Sequence, residues 1–169
     1  WLEENAASLI DGDVELRIEA IKRSCQIKAK IVENDEREYG ERALLNLGHT
    51  FCHALEAVTN FSDILLHGEG VSIGCNLAFE LSSRLGLCSQ EVPSRVREHY
   101  HSINLATDIS QINGFVANAE QIYDSMAQDK KVLNGVIRFI LASDIGKAMV
   151  QENIDKALVL EVLQQSLER

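Results

Sequence analysis

Arg42, Asn46, His49 and His53 follow one another at spacings of four, three and four residues. On an α-helix that spacing sets all four side chains along one face. The opposite line, Leu44, Leu47, Phe51, Leu55 and Val58, is apolar at the same period, so the sequence predicts one site helix over 42–59. The polar line holds a guanidinium, an amide and two imidazoles, not the Lys/Glu mixture of a solvated face. Imidazoles at i and i+4 converge over one turn and can grip a single divalent metal, although paired histidines on a helix are also common without one. His67, just past a loop, is positioned to return as a third nitrogen donor. Cys52 lies within a turn of His49 and reads either as a soft ligand or, given its apolar flanks, as a packed thiol. A catalytic metal usually has three protein ligands and one open position. His49 and His67 plus a carboxylate meet that count; Glu56 and Glu69 are candidates, and neither is marked out by its spacing.

Other motifs carry less. The His49–His53 pentad lacks the glutamate of the HExxH zinc-protease motif, so peptide hydrolysis by that route is not supported. Gly68, Gly70 and Gly74 follow a GxGxxxG spacing with no βαβ unit around it, which points to close helix packing and not to a dinucleotide loop. There is no P-loop. His99 and His101 fall on different helix faces and read as surface residues. Asp129-Lys130-Lys131 reads as a solvated helix end, set just before a strand, where loops tend to carry function.

These residues must be positioned by helices. Residues 1–10 read as a short helix stopped at Asp11-Gly12-Asp13. A second helix over about 13–34 carries an apolar stripe of Val14, Ile18, Ile21, Cys25 and Val32, with Lys28 in the remaining slot. That lysine either snorkels outward or reaches into a pocket. Asp35-Glu36-Arg37-Glu38-Tyr39-Gly40 is a charged break before the site helix. After a loop at 60–66, helices are expected from His67 to about Leu85, over about 90–103 and over 117–128. Residues 136–141 give the strong strand signal, paired with Lys147–Val150 across Ser143–Gly146. A last amphipathic helix runs over about 154–168 with Asn153 as its cap. The fold class is therefore mainly α, one helical bundle domain with a small β-hairpin near the C-terminus.

The chain of 169 residues is long enough for one sizeable core, and 46 % apolar content excludes a disordered segment. With 26 acidic against 16 basic residues the formal charge is −10, which argues against a nucleic-acid surface. It leaves room for a small anionic substrate, since a few Lys and Arg set the field of a cleft. Cysteines 25, 52, 75 and 88 show no CxxC pairing and read as buried thiols of a reducing compartment. With no signal peptide and no apolar run of membrane-spanning length, a cytoplasmic protein without a membrane partner is expected. The chain opens on Trp1 in a helical pattern already under way, which suggests a piece of something longer.

The run Arg42-Ala43-Leu44-Leu45-Asn46-Leu47-Gly48-His49-Thr50-Phe51-Cys52-His53-Ala54-Leu55-Glu56, followed by Leu66-His67-Gly68-Glu69, resembles the central signature of 3-dehydroquinate synthase. Lys28-Ala29, Asp35–Glu38, Asp129-Lys130-Lys131 and Ile145-Gly146-Lys147 continue the match in order. The resemblance covers essentially the whole chain, and only the C-terminal, helical half of that enzyme. It implies a dehydroquinate synthase-like C-terminal domain over 1–169, with the family's Rossmann-like NAD domain absent from this chain.

The same resemblance implies a carbon–oxygen lyase of the shikimate pathway. Such an enzyme closes a seven-carbon keto-sugar acid phosphate to 3-dehydroquinate with loss of phosphate, using NAD transiently and a divalent metal, usually zinc. It makes His49 and His67 metal ligands and sets His53 nearby for substrate binding or proton relay. Lys28, Arg42, Asn46 and one lysine of the 130–131 pair, with Lys130 preferred, would hold the substrate's carboxylate, hydroxyls and phosphate. That role favours the pocket over snorkelling for Lys28. Two departures stand out. The family's third ligand, a glutamate, lies upstream of Trp1, and Cys52 replaces a glycine usual in the GHTFGHA-like run. The isolated chain is therefore expected to be inactive; a homodimer is the family's common state. Alternatives are another sugar phosphate cyclase, of the 2-deoxy-scyllo-inosose synthase kind, or a non-catalytic metal-binding helical module.

Overall fold

The protein is described by a computed structural model covering residues 1–37, 40–128 and 136–169. Seven α-helices and one hairpin appear among them: α1 (Leu2–Ile10), α2 (Val14–Asn34), α3 (His49–Val58), α4 (His67–Arg84), α5 (Glu91–Ser102), α6 (Ala119–Gln128), β1 (Phe139–Asp144), β2 (Lys147–Gln151) and α7 (Lys156–Glu168). Short 3-10 helices occupy Glu41–Asn46 and Ile109–Gln111. The mainly helical class with a C-terminal antiparallel hairpin is as the sequence predicts.

The bundle is organised around α4, which packs against α3, α5, α7 and β1. Its buried residues lie on every side of the helix, from Gly70 through Ile73, Leu77 and Ala78 to Leu81, as expected of a helix surrounded by others. Phe51 and Leu55 of α3, Ile122 and Met126 of α6, Leu141 of β1, and Val159 and Leu163 of α7 complete one apolar core. Polar groups stitch its edges. The Ser82 hydroxyl donates to Ala78 O at 2.6 Å and accepts from Ala142 N at 3.0 Å, fastening β1 to α4. Asp108 receives Arg97 and the Thr107 hydroxyl, and Arg97 and Arg169 both reach Glu80.

Several expectations are corrected. The site helix over 42–59 is not continuous: residues 41–46 form a 3-10 helix, and α3 begins at His49 after Gly48, whose φ is +79°. Close approach of helices forces the break. A Cβ on Gly48 would lie 2.5 Å from the Cys75 backbone nitrogen, so the chain crosses α4 backbone on backbone, which only glycine permits. The strand lies at 139–144, three residues later than expected, because the tight turn sits at Ile145-Gly146 with Gly146 at φ +82°. The cap of α7 is Asp155, which accepts from Ala157 N at 2.9 Å; Asn153 instead takes a left-handed turn at φ 58°.

Helix α2 starts where predicted, with Asp13 accepting from Leu16 N at 3.0 Å. Its stripe, however, is not buried: Val14, Ile18 and Ile21 are 65 %, 59 % and 64 % exposed. Cys25 on the same helix is exposed and Cys88 half-buried, so only Cys52 and Cys75 are the buried thiols expected. None of the helices among the described residues is long and apolar enough to cross a membrane.

Candidate metal and substrate site

The Gly48 crossing has a direct consequence for chemistry. It starts α3 at His49, beside the start of α4 at His67, so two histidines occupy first-turn positions of adjacent helices. His53 stands one turn further along α3. The three rings gather: centroids are 5.6 Å apart for His49–His53, 5.7 Å for His49–His67 and 6.5 Å for His53–His67.

Each of the two first-turn rings has its Nδ1 tethered. His49 Nδ1 lies 3.3 Å from Leu47 O, and His67 Nδ1 lies 2.8 Å from Glu56 Oε1. Both contacts hold the rings through Nδ1, so that Nε2 is the ring atom each would offer to a metal. That tether, to a backbone carbonyl or a carboxylate, is the usual orienting partner of a metal-ligating histidine.

The second carboxylate candidate is occupied elsewhere: Glu69 Oε2 accepts from Leu66 N at 3.0 Å and caps α4. Cys52 Sγ sits 3.7 Å from His67 Nδ1 and packs over Gly70, where a Cβ would come within 2.8 Å of the sulfur. Burial, reinforced by the Glu56 charge, pushes the Cys52 thiol up to about 12. Cys52, Glu56 and His67 bring a sulfur, a carboxylate oxygen and a ring nitrogen within 4.8 Å of one another.

The remaining expected residues are distributed differently. Arg42 donates from Nη1 to Glu36 O at 2.6 Å, and its backbone nitrogen donates to Asp35 Oδ2 at 3.0 Å. The Asn46 amide donates to Ala43 O at 3.2 Å. Both belong to the 3-10 helix before Gly48, so they do not share one helical line with the histidines. Lys28 is exposed on α2. Lys130 and Lys131 lie outside the described residues. His53 lines a cleft of about 420 Å³ with Ala57, Phe61, Ser125 and Gln128, and Gln128 precedes Lys130 by two positions. Glu56 is the residue whose part the sequence signalled least. Its spacing of four from Cys52 was the available clue.

Residues 1–132 match the family described as 3-dehydroquinate synthase C-terminal. The chain belongs to that family. It is 62 % identical over 167 residues to the 3-dehydroquinate synthase of a Ruegeria species and 58 % identical to that of Ruegeria pomeroyi, in each case over 99 % of this chain and 45 % of the relative. The chain thus spans a little under half the length of the curated relatives it matches. Its fold is that of 2-epi-5-epi-valiolone synthase from Streptomyces hygroscopicus, solved with NAD+ and Zn2+ bound. The TM-score there is 0.82, at 22 % identity over 99 % of this chain and 45 % of that one. A 2-deoxy-scyllo-inosose synthase bound to carbaglucose-6-phosphate, NAD+ and Co2+ is also similar, with a TM-score of 0.65 at 22 % identity over 77 % of this chain and 36 % of that one.

Proposed function

We propose that this chain is the metal- and substrate-binding part of a 3-dehydroquinate synthase. The complete enzyme would convert 3-deoxy-D-arabino-heptulosonate 7-phosphate to 3-dehydroquinate and phosphate, a carbon–oxygen lyase step of the shikimate pathway in the cytoplasm. One observation carries the reading: His49 and His67 start adjacent helices with their ring centroids 5.7 Å apart and each Nδ1 tethered. Imidazole donors so oriented fit a borderline divalent ion such as Zn2+. When bound, the ion would supply Lewis-acid polarisation of a substrate hydroxyl.

The chain's own residues take the other tasks. His53, beside both ligands and opening on its own cleft, binds substrate and relays a proton. Arg42, Asn46, Lys28 and Lys130 hold the carboxylate, hydroxyls and phosphate of a small sugar-acid phosphate. Arg42 supplies the planar fork suited to a carboxylate or phosphate. A Rossmann-like NAD domain supplies the hydride acceptor and covers the α2 stripe, the surface on which Lys28 stands; the assembled protein is a homodimer.

The test is phosphate release from the heptulosonate phosphate by the complete NAD-containing protein. Turnover should fall at least about 100-fold in His49→Ala and His53→Ala, and the 169-residue chain alone should give none. Dehydroquinate formation by the isolated chain would refute this division of labour. Turnover of glucose 6-phosphate in place of the heptulosonate phosphate would reassign the substrate to a 2-deoxy-scyllo-inosose synthase type. Metal affinity indifferent to the absent NAD domain, with no turnover by the complete protein, would leave a non-catalytic metal module.

A further inference from the structure

We propose that Cys52, Glu56 and His67 Nδ1 form a second cation site, selective for thiophilic divalent ions such as Cd2+ or excess Zn2+, whose filling removes His67 from the first. The proposal shares His67 with the reading above and rests on it for that consequence only.

The donors are already near bonding positions. Cys52 and Glu56 are four apart on α3 and project from one face, and His67 meets them from the start of α4. The sulfur lies 3.7 Å and the carboxylate oxygen 2.8 Å from His67 Nδ1. In a tetrahedral zinc site, bond lengths of about 2.3 Å to sulfur and about 2.0 Å to nitrogen and oxygen place S and N about 3.5 Å apart and O and N about 3.3 Å apart. The thiol pair therefore closes by a few tenths of an ångström and the carboxylate pair opens by about half an ångström. Gly70 provides the space beneath the sulfur. The ring is the movable member: the His67 side chain is 58 % exposed, against 15 % for Glu56, so an ion enters from the His67 side.

Protons account for the exclusion. His67 Nδ1 faces Glu56 Oε1 at 2.8 Å. A cation there takes the Nδ1 lone pair, and a neutral imidazole so bound holds its one proton on Nε2, the atom on which the first site depends. The Cys52 thiol loses its proton to solvent as the sulfur–metal bond forms. One neutral imidazole cannot serve both ions.

The test is Cd2+ titration of the 169-residue chain in a Cys25→Ser, Cys88→Ser background, which removes the two more accessible thiols. A thiolate-to-cadmium charge-transfer band should appear and saturate at one ion per chain. It should vanish in Cys52→Ala, need at least about tenfold more Cd2+ in Glu56→Gln, and persist in His49→Ala. Cadmium-113 resonance of the chain carrying Cys52 should report one sulfur ligand, a readout that requires no further substitution. In the complete enzyme, excess Zn2+ should inhibit, and Cys52→Ala should relieve it. A band that survives Cys52→Ala, no band at all, or equal loss in His49→Ala would overturn the second site. The last result would leave the imidazole reading standing, whereas Zn2+ binding indifferent to His49→Ala would remove that reading and spare this one.

Discussion

The backbone of Gly48 lies against that of Gly74, the first at the break before α3 and the second in the middle of α4. A Cβ on Gly74 would overlap the Gly48 carbonyl oxygen, the same oxygen that accepts from Cys52 N at 3.0 Å to start α3. Gly74→Ala should therefore lower stability by roughly 1–3 kcal/mol, as overpacking does, and the melting temperature by roughly 2–12 °C. Because the crossing also orients His49, metal affinity should fall in the surviving folded fraction. Gly68, with open space where its Cβ would be, is the control. Gly68→Ala that destabilised as much, read by thermal melting, would remove the special role of the crossing.

Loss of the His67 tether should register as metal affinity. In the complete protein, Glu56→Gln should weaken Zn2+ binding about 10–100-fold, the usual effect of losing an orienting partner. His49→Ala should weaken it further. Competition against a chelator measures both, and unchanged affinity in Glu56→Gln would mean that the 2.8 Å contact orients nothing.

Burial divides the thiols and sets an alkaline limit. Exposed Cys25 should alkylate at pH 8, while Cys52 and Cys75 should resist until the chain unfolds. Burial pushes Cys75 up to about 11, and burial reinforced by the neighbouring thiol pushes Tyr100 up to about 12. Both groups stay neutral in the fold at pH values where the unfolded chain ionises. The unfolded state then binds fewer protons, so stability falls as pH rises from the ordinary thiol value of 9.0 towards about 11. Urea midpoints at pH 7.5 and 10 should show the drop, and Cys75→Ala should flatten it.

Asp108 should be the most costly polar residue to lose. Its buried carboxylate receives Arg97, the Thr107 hydroxyl and Arg169, tying α5 to the C-terminus. Asp108→Ala leaves Arg97 with Glu80 at 3.4 Å and the Thr107 hydroxyl at 3.1 Å but removes its buried carboxylate partner, and should cost about 1.5–3 kcal/mol. Arg95→Ala, which cuts the exposed pair with Glu3, should cost no more than about 1 kcal/mol. Denaturant unfolding of the two variants compares them directly.

Periodicity and end signals determined most of the helices. The Asp13 cap, the Gly86 stop after α4 and the apolar line of Phe51 and Leu55 are local facts of spacing, and local facts survive folding. The His49–His53 pair was legible for the same reason, since i and i+4 neighbours stay neighbours on any helix, whereas His67 joins them only through the packing of α4 on α3. Tertiary contact decided the rest. The predicted site helix ran through Gly48 because its period is unbroken, and only the approach of α4 shows why the chain turns there and leaves Arg42 and Asn46 on a separate 3-10 segment. The α2 stripe reads as a buried face, yet burial depends on what lies opposite, which the period of one helix does not contain. The roles of Glu56 and Glu69 were likewise beyond sequence. Each is a glutamate near His67, and only folding set one carboxylate on its ring and the other on the backbone of Leu66.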